Sequence, residues 1–546
     1  MTSEAFMPCS PRLPFVMAAM ALILPLAAQA GGTDNPVLSA ASLGYAGTGV
    51  ALAEGPDTVF YNPAGLTRLR ERRLSQGLSI VSGSMRVRDE GSTRAQDPFA
   101  PPCHEANDPA CPVVQDPAEP GHVLPGFQPI PDLYLAAPVN DRLTLGLGVY
   151  TPMGAKVSYH ADWVGQGMVQ RGELQTVNIN PSLGIRLAPG HSLGLGLDVE
   201  IARVYQRSAV DVGQGAKYYG EAVLQDASEA GVLGLPVGNL LPLGELYSRL
   251  LPGAAKSFLG DLLVSTGGIS GSAGISYEGY GAGVGWNAGY LFEPSERTRF
   301  GLAFRSQIRI PTRGRVDWDF TRVDGQVPDS RNLPSFMPAG EHLATYYRPD
   351  TTGHVEVIDP LRVSAGFFHQ LTPRLMLLAD VAWAQQSATR ELRMRFDDRI
   401  GPDGEVIRQG DAVIPQYWRD TVRVSAGLGY VLSPRWLLRG GLAYDQSPIT
   451  DPRYRHPGGP DSNRLMLALG ARFGMADGTL LDVGYGFIRL EDASSRYHES
   501  CTMNYYERAD NSAGSKDECT ANGGNFRAQY SDGRVHVLSF SLTKAL

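Results

Sequence analysis

The chain has 546 residues, 48 basic against 56 acidic side chains, and a formal net charge of −8. That acidic balance argues against a nucleic acid partner, whose phosphates call for a basic face. With 64 glycines, 23 tyrosines and only 19% charged residues, the composition suits many strands better than helices. The length alone fits either several soluble domains or one large closed sheet.

Residues 1–30 read as a secretory signal. Arg12 precedes an apolar run from Leu13 to Ala28, and Ala28-Gln29-Ala30 supplies the small-x-small cleavage pattern. The run is shorter than the roughly 20 apolar residues a spanning helix needs. Removing the segment deletes Glu4 and Arg12, so the mature charge is unchanged. Residues 31–70 then form a glycine-rich, barely polar stretch ending in "DTVFYNPAGLTRL" at 57–69. Asn62-Pro63-Ala64-Gly65 is a chain reversal: proline fixes φ, asparagine tolerates left-handed geometry, and glycine relaxes the backbone.

Beyond residue 70 the dominant period is two. In "RLTLGLGVY", Leu143, Leu145, Leu147 and Val149 share one face and Thr144, Gly146 and Gly148 the other; "SLGLGLDVEI" and "RLMLALGARF" repeat the pattern. A soluble sandwich would hide the apolar face and put charges outside. Here the second face is mostly Gly, Ala, Ser and Thr with a few charges, as in the polar lumen of an outer-membrane barrel. A closed barrel satisfies every backbone group in lipid without any helical span.

Short turn-rich connections at 138–142, 188–192, 293–297, 371–374, 432–435 and 475–479 alternate with long irregular ones. That is the rhythm of periplasmic turns against extracellular loops. The expected strands are 72–90, 128–138, 142–158, 171–188, 192–208, 276–293, 298–319, 359–371, 374–395, 420–432, 435–446, 463–475, 479–492 and 533–546. The fold class is therefore an all-β membrane protein, an antiparallel outer-membrane β-barrel of about 14 strands spanning 71–546. Several strands exceed the ~9–11 residues needed to cross, so the wall should stand above the outer surface.

Two connections stand out. Between 209 and 275 the sequence becomes apolar with helical spacing: Leu243, Leu246, Tyr247, Leu250 and Leu251, then Ala255, Phe258, Leu259, Leu262 and Leu263, separated by Pro252-Gly253. This helical extracellular loop either caps the barrel with its own stripe or offers an apolar groove to hydrophobic ligands. The loop from 91 to 127 is proline-rich and polar, a rigid cover. Four cysteines remain after cleavage, in two close pairs, Cys103 with Cys111 and Cys501 with Cys519. In an exported protein an even count points to local disulfides. Metal binding is the alternative, but the spacing is not CxxC and His104 and His498 are isolated, so no metal site is expected.

At this point the chain resembles the FadL family of outer-membrane transporters for long-chain fatty acids and other hydrophobic compounds. "SLGYAGTGVALAEGPDTVFYNPAGL" at 42–66 is similar to the family's N-terminal hatch. "YTPMG" at 150–154, "NINPSLGIRL" at 178–187, "GWNAGYLFEPSERTRFGLAFRS" at 285–306 and "WRDTVRVSAGLGYVLSPRWLLRGGLAYDQSPI" at 418–449, with Pro460, Asp461 and Arg464, follow in family order. The resemblance implies a fourteen-stranded barrel plugged by residues 31–70. It also implies capture on an outer apolar groove, transfer to an inner pocket, and sideways exit into the bilayer. The C-terminal strand departs from the family in ending on Leu546 instead of an aromatic residue.

The hatch would gate through Gly44, Gly47 and Gly49, which allow close packing, and through the turn at Asn62, Pro63 and Ala64. A carboxylate head group needs a cation in a dry interior. Arg423, Arg439 and Arg472 fall on small-residue faces and are candidates, against the alternative that they pair with lumen acids such as Asp198, Glu200 or Asp482. Arg203 and Arg207 are a second option. No cofactor is expected, and the partners are a long-chain fatty acid or other hydrophobic small molecule and the lipid of the outer membrane, with the chain a monomer. Two other classes compete. A barrel hydrolase needs a Ser-His pair, and His369 and His536, the histidines near strands, have no evident partner set. A general porin needs a charged constriction loop, whereas 209–275 is leucine-rich.

Overall fold

The computed structural model describes residues 35, 38–92, 127–161, 163–211, 270–328, 336–346, 348–402, 404–409, 411–498 and 525–546. The signal segment, the cysteine pairs and the helical part of the 209–275 loop, with all its candidate groove residues, lie outside these.

Fourteen staves form the wall, every neighbouring pair antiparallel. The first six are β1 (Arg73–Asp89), β2 (Gln128–Pro138), β3 (Leu143–Tyr150 and Gly154–Ser158), β4 (Arg171–Ala188), β5 (His191–Asp211) and β6 (Ser270–Ser295). Next come β7 (Thr298–Arg305 and Ile308–Asp319), β8 (Thr351–Asp359 and Arg362–Gln370), β9 (Leu375–Ala384 and Glu391–Phe396) and β10 (Ala412–Pro415 and Thr421–Ser433). The last four are β11 (Trp436–Asp445), β12 (Arg464–Gly474), β13 (Leu480–Leu490 and Ala493–His498) and β14 (Asn525–Ala545). Pairing of β1 with β14, from Arg73 opposite Ala545 to Asp89 opposite Ala528, closes the ring and removes both sheet edges.

The short connections are the turns their sequences require. Between β4 and β5, Ala188 pairs with His191 across a two-residue turn in which Gly190 has φ 76°. Asn140 accepts from the Arg142 and Leu143 N–H groups between β2 and β3.

The outward face carries the expected lipid-facing residues. Leu195, Leu197, Val284, Trp286, Leu302, Val424, Leu467 and Leu469 are all exposed, while Asp198, Glu200, Asn178 and Asn180 on the alternate face are fully buried. Five strands differ from expectation by six residues or more: β6 begins at Ser270, β8 begins at Thr351, β10 includes Ala412–Pro415, β13 continues to His498, and β14 begins at Asn525. These parts lie at the loop end of the wall, where the pattern reverses. Val355, Met394 and Ile414 are buried inside, and Arg395 and Glu356 stand outside in the open. Above the lipid the outer face meets water, so the sheet there is patterned like a soluble barrel.

Candidate functional site

Residues 38–69 occupy the lumen. They form a short helix α1 (Ala40–Leu43), a second, α2 (Thr58–Tyr61), and a 3-10 turn (Pro63–Arg68), and almost all of them are buried. Asn62 does three things at once: its Oδ1 accepts from the Ala64 N–H at 3.1 Å, and its Nδ2 donates to Val50 O at 3.0 Å and to Tyr290 O of the wall at 3.1 Å. It therefore pins its own turn, the neighbouring loop and β6 together. Asp57 is buried against the hydroxyl of Ser39, which donates to it at 2.6 Å; burial pushes its carboxyl pKa upward.

The small-residue face of the wall is explained by this contact. A Cβ on Gly194 would sit 2.1 Å from the Ala64 nitrogen, and one on Gly441 would sit 2.3 Å from the Tyr45 carbonyl carbon. Both clashes are with backbone, so only glycine lets the segment lie this close.

Wall side chains tether the segment. Asp380 on β9 accepts from the N–H groups of Gly49 at 2.7 Å and Val50 at 3.0 Å. Thr48 donates to Ser425 at 2.9 Å. Arg299 donates to the carbonyls of Ala51 and Leu52, each at 2.9 Å, and stacks over Phe368. Gly44, Gly47 and Gly49 lie within this tethered stretch, where Gly47 has φ 76° and a Cβ on Gly49 would strike the Tyr61 ring at 2.7 Å.

The candidate arginines separate into three environments. Arg439 is fully buried and ion-paired with Asp482, with Tyr45 of the segment against its guanidinium. Arg472 pairs with the same Asp482 at 2.9 Å and with Glu54 at 3.5 Å. Arg423 donates to Ala46 O at 2.5 Å and pairs with Asp445 at 3.4 Å. Arg203 and Arg207 do not join them. They continue the outward face of β5, and Arg203 is held there by Glu278 at 2.8 Å and Glu173 at 3.2 Å. Odd positions on this strand face out, as the exposed Leu195, Leu197 and Ile201 show.

The described residues line an upper and a lower cavity inside the ring. The upper one, about 60 Å³, is apolar, with Met168, Ile275, Tyr277, Val355, Leu392, Met394, Phe396 and Ile414 around it and Gln206 and Ser208 as its polar members. The lower chamber, about 100 Å³, lies between the segment and β8–β11; Gly47, Val50, Phe60 and Tyr61 face Asp380, Arg423, Arg362, Asp445 and Gln446.

Asn35 also lines the lower chamber, and it leads to a break in the wall. Strand β3 is interrupted at Thr151-Pro152-Met153, where a proline cannot donate to a ladder. Pairing of β2 with β3 ends at Leu133 opposite Val149. Among the described residues, the Gln128–Asp132 stretch of β2 bonds only β1, and the Gly154–Ser158 segment of β3 bonds only β4. The freed carbonyls of Thr151 and Pro152 accept from Asn35, at 3.2 and 2.8 Å. The N-terminal segment thus fills the inner side of a gap between β2 and β3.

Sequence reasoning missed Asp380, Arg299 and Asn35. Asp380 is the single charge in the otherwise apolar "LMLLADVAWA", and that isolation was the available signal; Arg299 shares "TRFGLAFR" with Arg305.

A closed antiparallel barrel with an apolar outer face is a membrane β-barrel. Residues 21–527 match the family described as outer membrane protein transport protein (OMPP1/FadL/TodX), and the chain belongs to it. It is an outer-membrane protein, and the family consists of transporters and channels, not enzymes. The chain is 24% identical over 480 residues to a long-chain fatty acid transport protein of Escherichia coli O157:H7, covering 86% of this chain and 90% of that one. In fold it is similar to a Pseudomonas aeruginosa FadL homologue, with TM-score 0.67, 19% identity and 94% and 100% of the two chains covered. It is also similar to the Pseudomonas putida toluene transporter TodX, with TM-score 0.56, 14% identity and coverage of 95% and 98%.

Proposed function

We propose that the chain takes up long-chain, hydrophobic small molecules across the outer membrane and releases them sideways into the bilayer. The class of cargo is that named for its relatives, fatty acids in one case and toluene in another. The single observation that carries the route is the break in β3 beside the lower chamber, with Asn35 across its inner side.

The physical logic is a descending path. Each buried CH₂ is worth ~0.8 kcal/mol, so an apolar surface captures a long tail readily and the difficulty is letting it go. Initial capture falls to the apolar loop around 243–263, which lies outside the described residues. The upper cavity, lined by Tyr277, Val355, Met394 and Ile414, receives the tail. Movement of the tethered segment at Gly44–Gly49 and Asn62–Ala64 opens the lower chamber, and the gap between β2 and β3 leads to lipid, which acts as the sink. Of the head-group candidates, Arg423 is the one that lines that chamber.

Uptake of labelled alkanes, monoaromatics and fatty acids is to be measured in a strain lacking its own transporter, with this chain at equal surface expression. Accumulation above the empty-vector level for at least one class is expected. Accumulation equal to the vector for all classes contradicts the proposal, and so does unchanged transport after deletion of residues 235–264 in the case of the capture step.

A further inference from the structure

The way each charge along the route is paired bears on the polar end of the cargo. Lumen arginines are committed. Arg299 serves two carbonyls, and Arg305 pairs with Asp198 and donates to Phe60 O. Arg439 and Arg472 share Asp482, Arg423 holds Asp445 and Ala46 O, and Arg362 has a partner as well. Each of these arginines has a partner; the donors among them that make no hydrogen bond are Arg423 Nε, 3.4 Å from Asp445, and Arg439 Nε and Nη2, the latter 3.9 Å from Glu54.

Acceptors are in surplus. In the lower chamber Asp380 uses Oδ2 for two backbone N–H groups. Its Oδ1 has no donor. At the gap, Asp132 stands one residue beyond the last β2–β3 pair, on the lumen-facing side of β2. It is 8% exposed, and its Oδ1 likewise has no donor. A molecule moving from chamber to gap therefore passes two buried carboxylates, each with an idle oxygen.

We infer that the cargo is a hydrophobic molecule whose polar end is an uncharged hydrogen-bond donor, a hydroxyl above all, and that ionised carboxylates are selected against. The inference rests on the route proposed above. A hydroxyl donates to an idle carboxyl oxygen and needs no counter-ion. A carboxylate has no proton to donate to those oxygens, and recruiting Arg423 for it breaks an existing pair. A plain hydrocarbon leaves both acceptors as they are and gains nothing from them.

The test uses the full-length protein in nanodiscs and three molecules with one skeleton, dodecan-1-ol, dodecanoate and dodecane, competing against a bound fluorescent apolar probe. Measurement at about pH 9 keeps the acid ionised. The alcohol is expected to compete at about tenfold lower concentration than the carboxylate, and the isosteric Asp132→Asn and Asp380→Asn variants to reduce that ratio to about threefold or less. Equal or better competition by dodecanoate overturns the inference and leaves the transport reading standing. An alcohol preference unchanged in both variants overturns it too. Failure of all three molecules removes the transport reading itself, and this inference with it. Misfolded variants are recognised by loss of heat-modifiable gel mobility, and the wild-type ratio is then decisive alone.

Discussion

At the residue scale, the buried polar side chains divide into those that hold the N-terminal segment and those that shape the loop end. Asn62 belongs to the first group. Two of its three hydrogen bonds are buried and the one to Tyr290 partly so, and Asn62→Ala leaves Val50 O, Tyr290 O and the Ala64 N–H without that partner. A local cost of about 1–3 kcal/mol follows. Hydrogen exchange across residues 46–66 should accelerate by one to two orders of magnitude while wall strands are unaffected; equal protection in mutant and parent would show that the turn is held by other contacts. His456 belongs to the second group. It accepts from Gly458 N at 2.9 Å and abuts the Tyr497 ring edge, and burial pushes its pKa down to about 3. A folded-state pKa below the ordinary value of roughly 6.5 means the unfolded loop binds the proton first. The stability this loop draws from a neutral His456 is therefore complete above pH ~6.5 and declines as pH falls toward 3. Protection factors at residues 451–463, taken against the intrinsic exchange rate at each pH, should fall as pH goes from about 7.5 to 5, and His456→Gln should abolish the dependence. Asn62 was legible from its Asn-Pro-Ala-Gly context. His456 was not, because a lone histidine in a Pro-Gly-Gly loop has no periodicity to report its burial.

At the element scale, the strands whose outer face meets lipid were readable and those above it were not. "LTLGLGVY" and "RLMLALGARF" alternate apolar with small residues, and β3 and β12 fall where that pattern places them. "TTGHVEV" alternates too, but with Val355 and Val357 inward and His354 and Glu356 outward, so an apolar-outside rule discards it. The same reversal hid Ala412–Pro415 and the start of β14. It has a functional side, since inward apolar residues at that level form the upper cavity. The break in β3 was partly visible: "YTPMG" was noticed, and a proline within a strand signals a disrupted ladder, yet the length of unpaired β2 depends on a partner far away in sequence. Glycines on the lumen face were read as crowding, and the structure gives the reason at Gly194 and Gly441. Gly441→Val should unseat the segment from β11 without preventing barrel closure. Protease access within residues 38–69, with retained heat-modifiable mobility, checks this, and full protection of the segment would contradict it.

At the scale of the whole molecule, a fourteen-stave ring with residues 38–69 packed inside is not an open pore. Single-channel conductance in planar bilayers should be far below that of a general porin, and the Gly441→Val variant should raise it. Strand count and closure followed from alternation and turn spacing. Which lumen charges pair with which could not be read, because Arg305 with Asp198 and Asp380 with Gly49 join residues more than a hundred positions apart. The central claim is the sideways route, and photo-crosslinking tests it most directly. A hydrophobic cargo analogue with a diazirine on its tail, activated during transport by intact cells and mapped by peptide mass, is predicted to label Gln128–Asp132 and Thr151–Gly154. Labelling confined to the short turns around 189–190, 434–435 and 475–479, with none at the gap, would mean that cargo runs straight through the ring and would contradict the account.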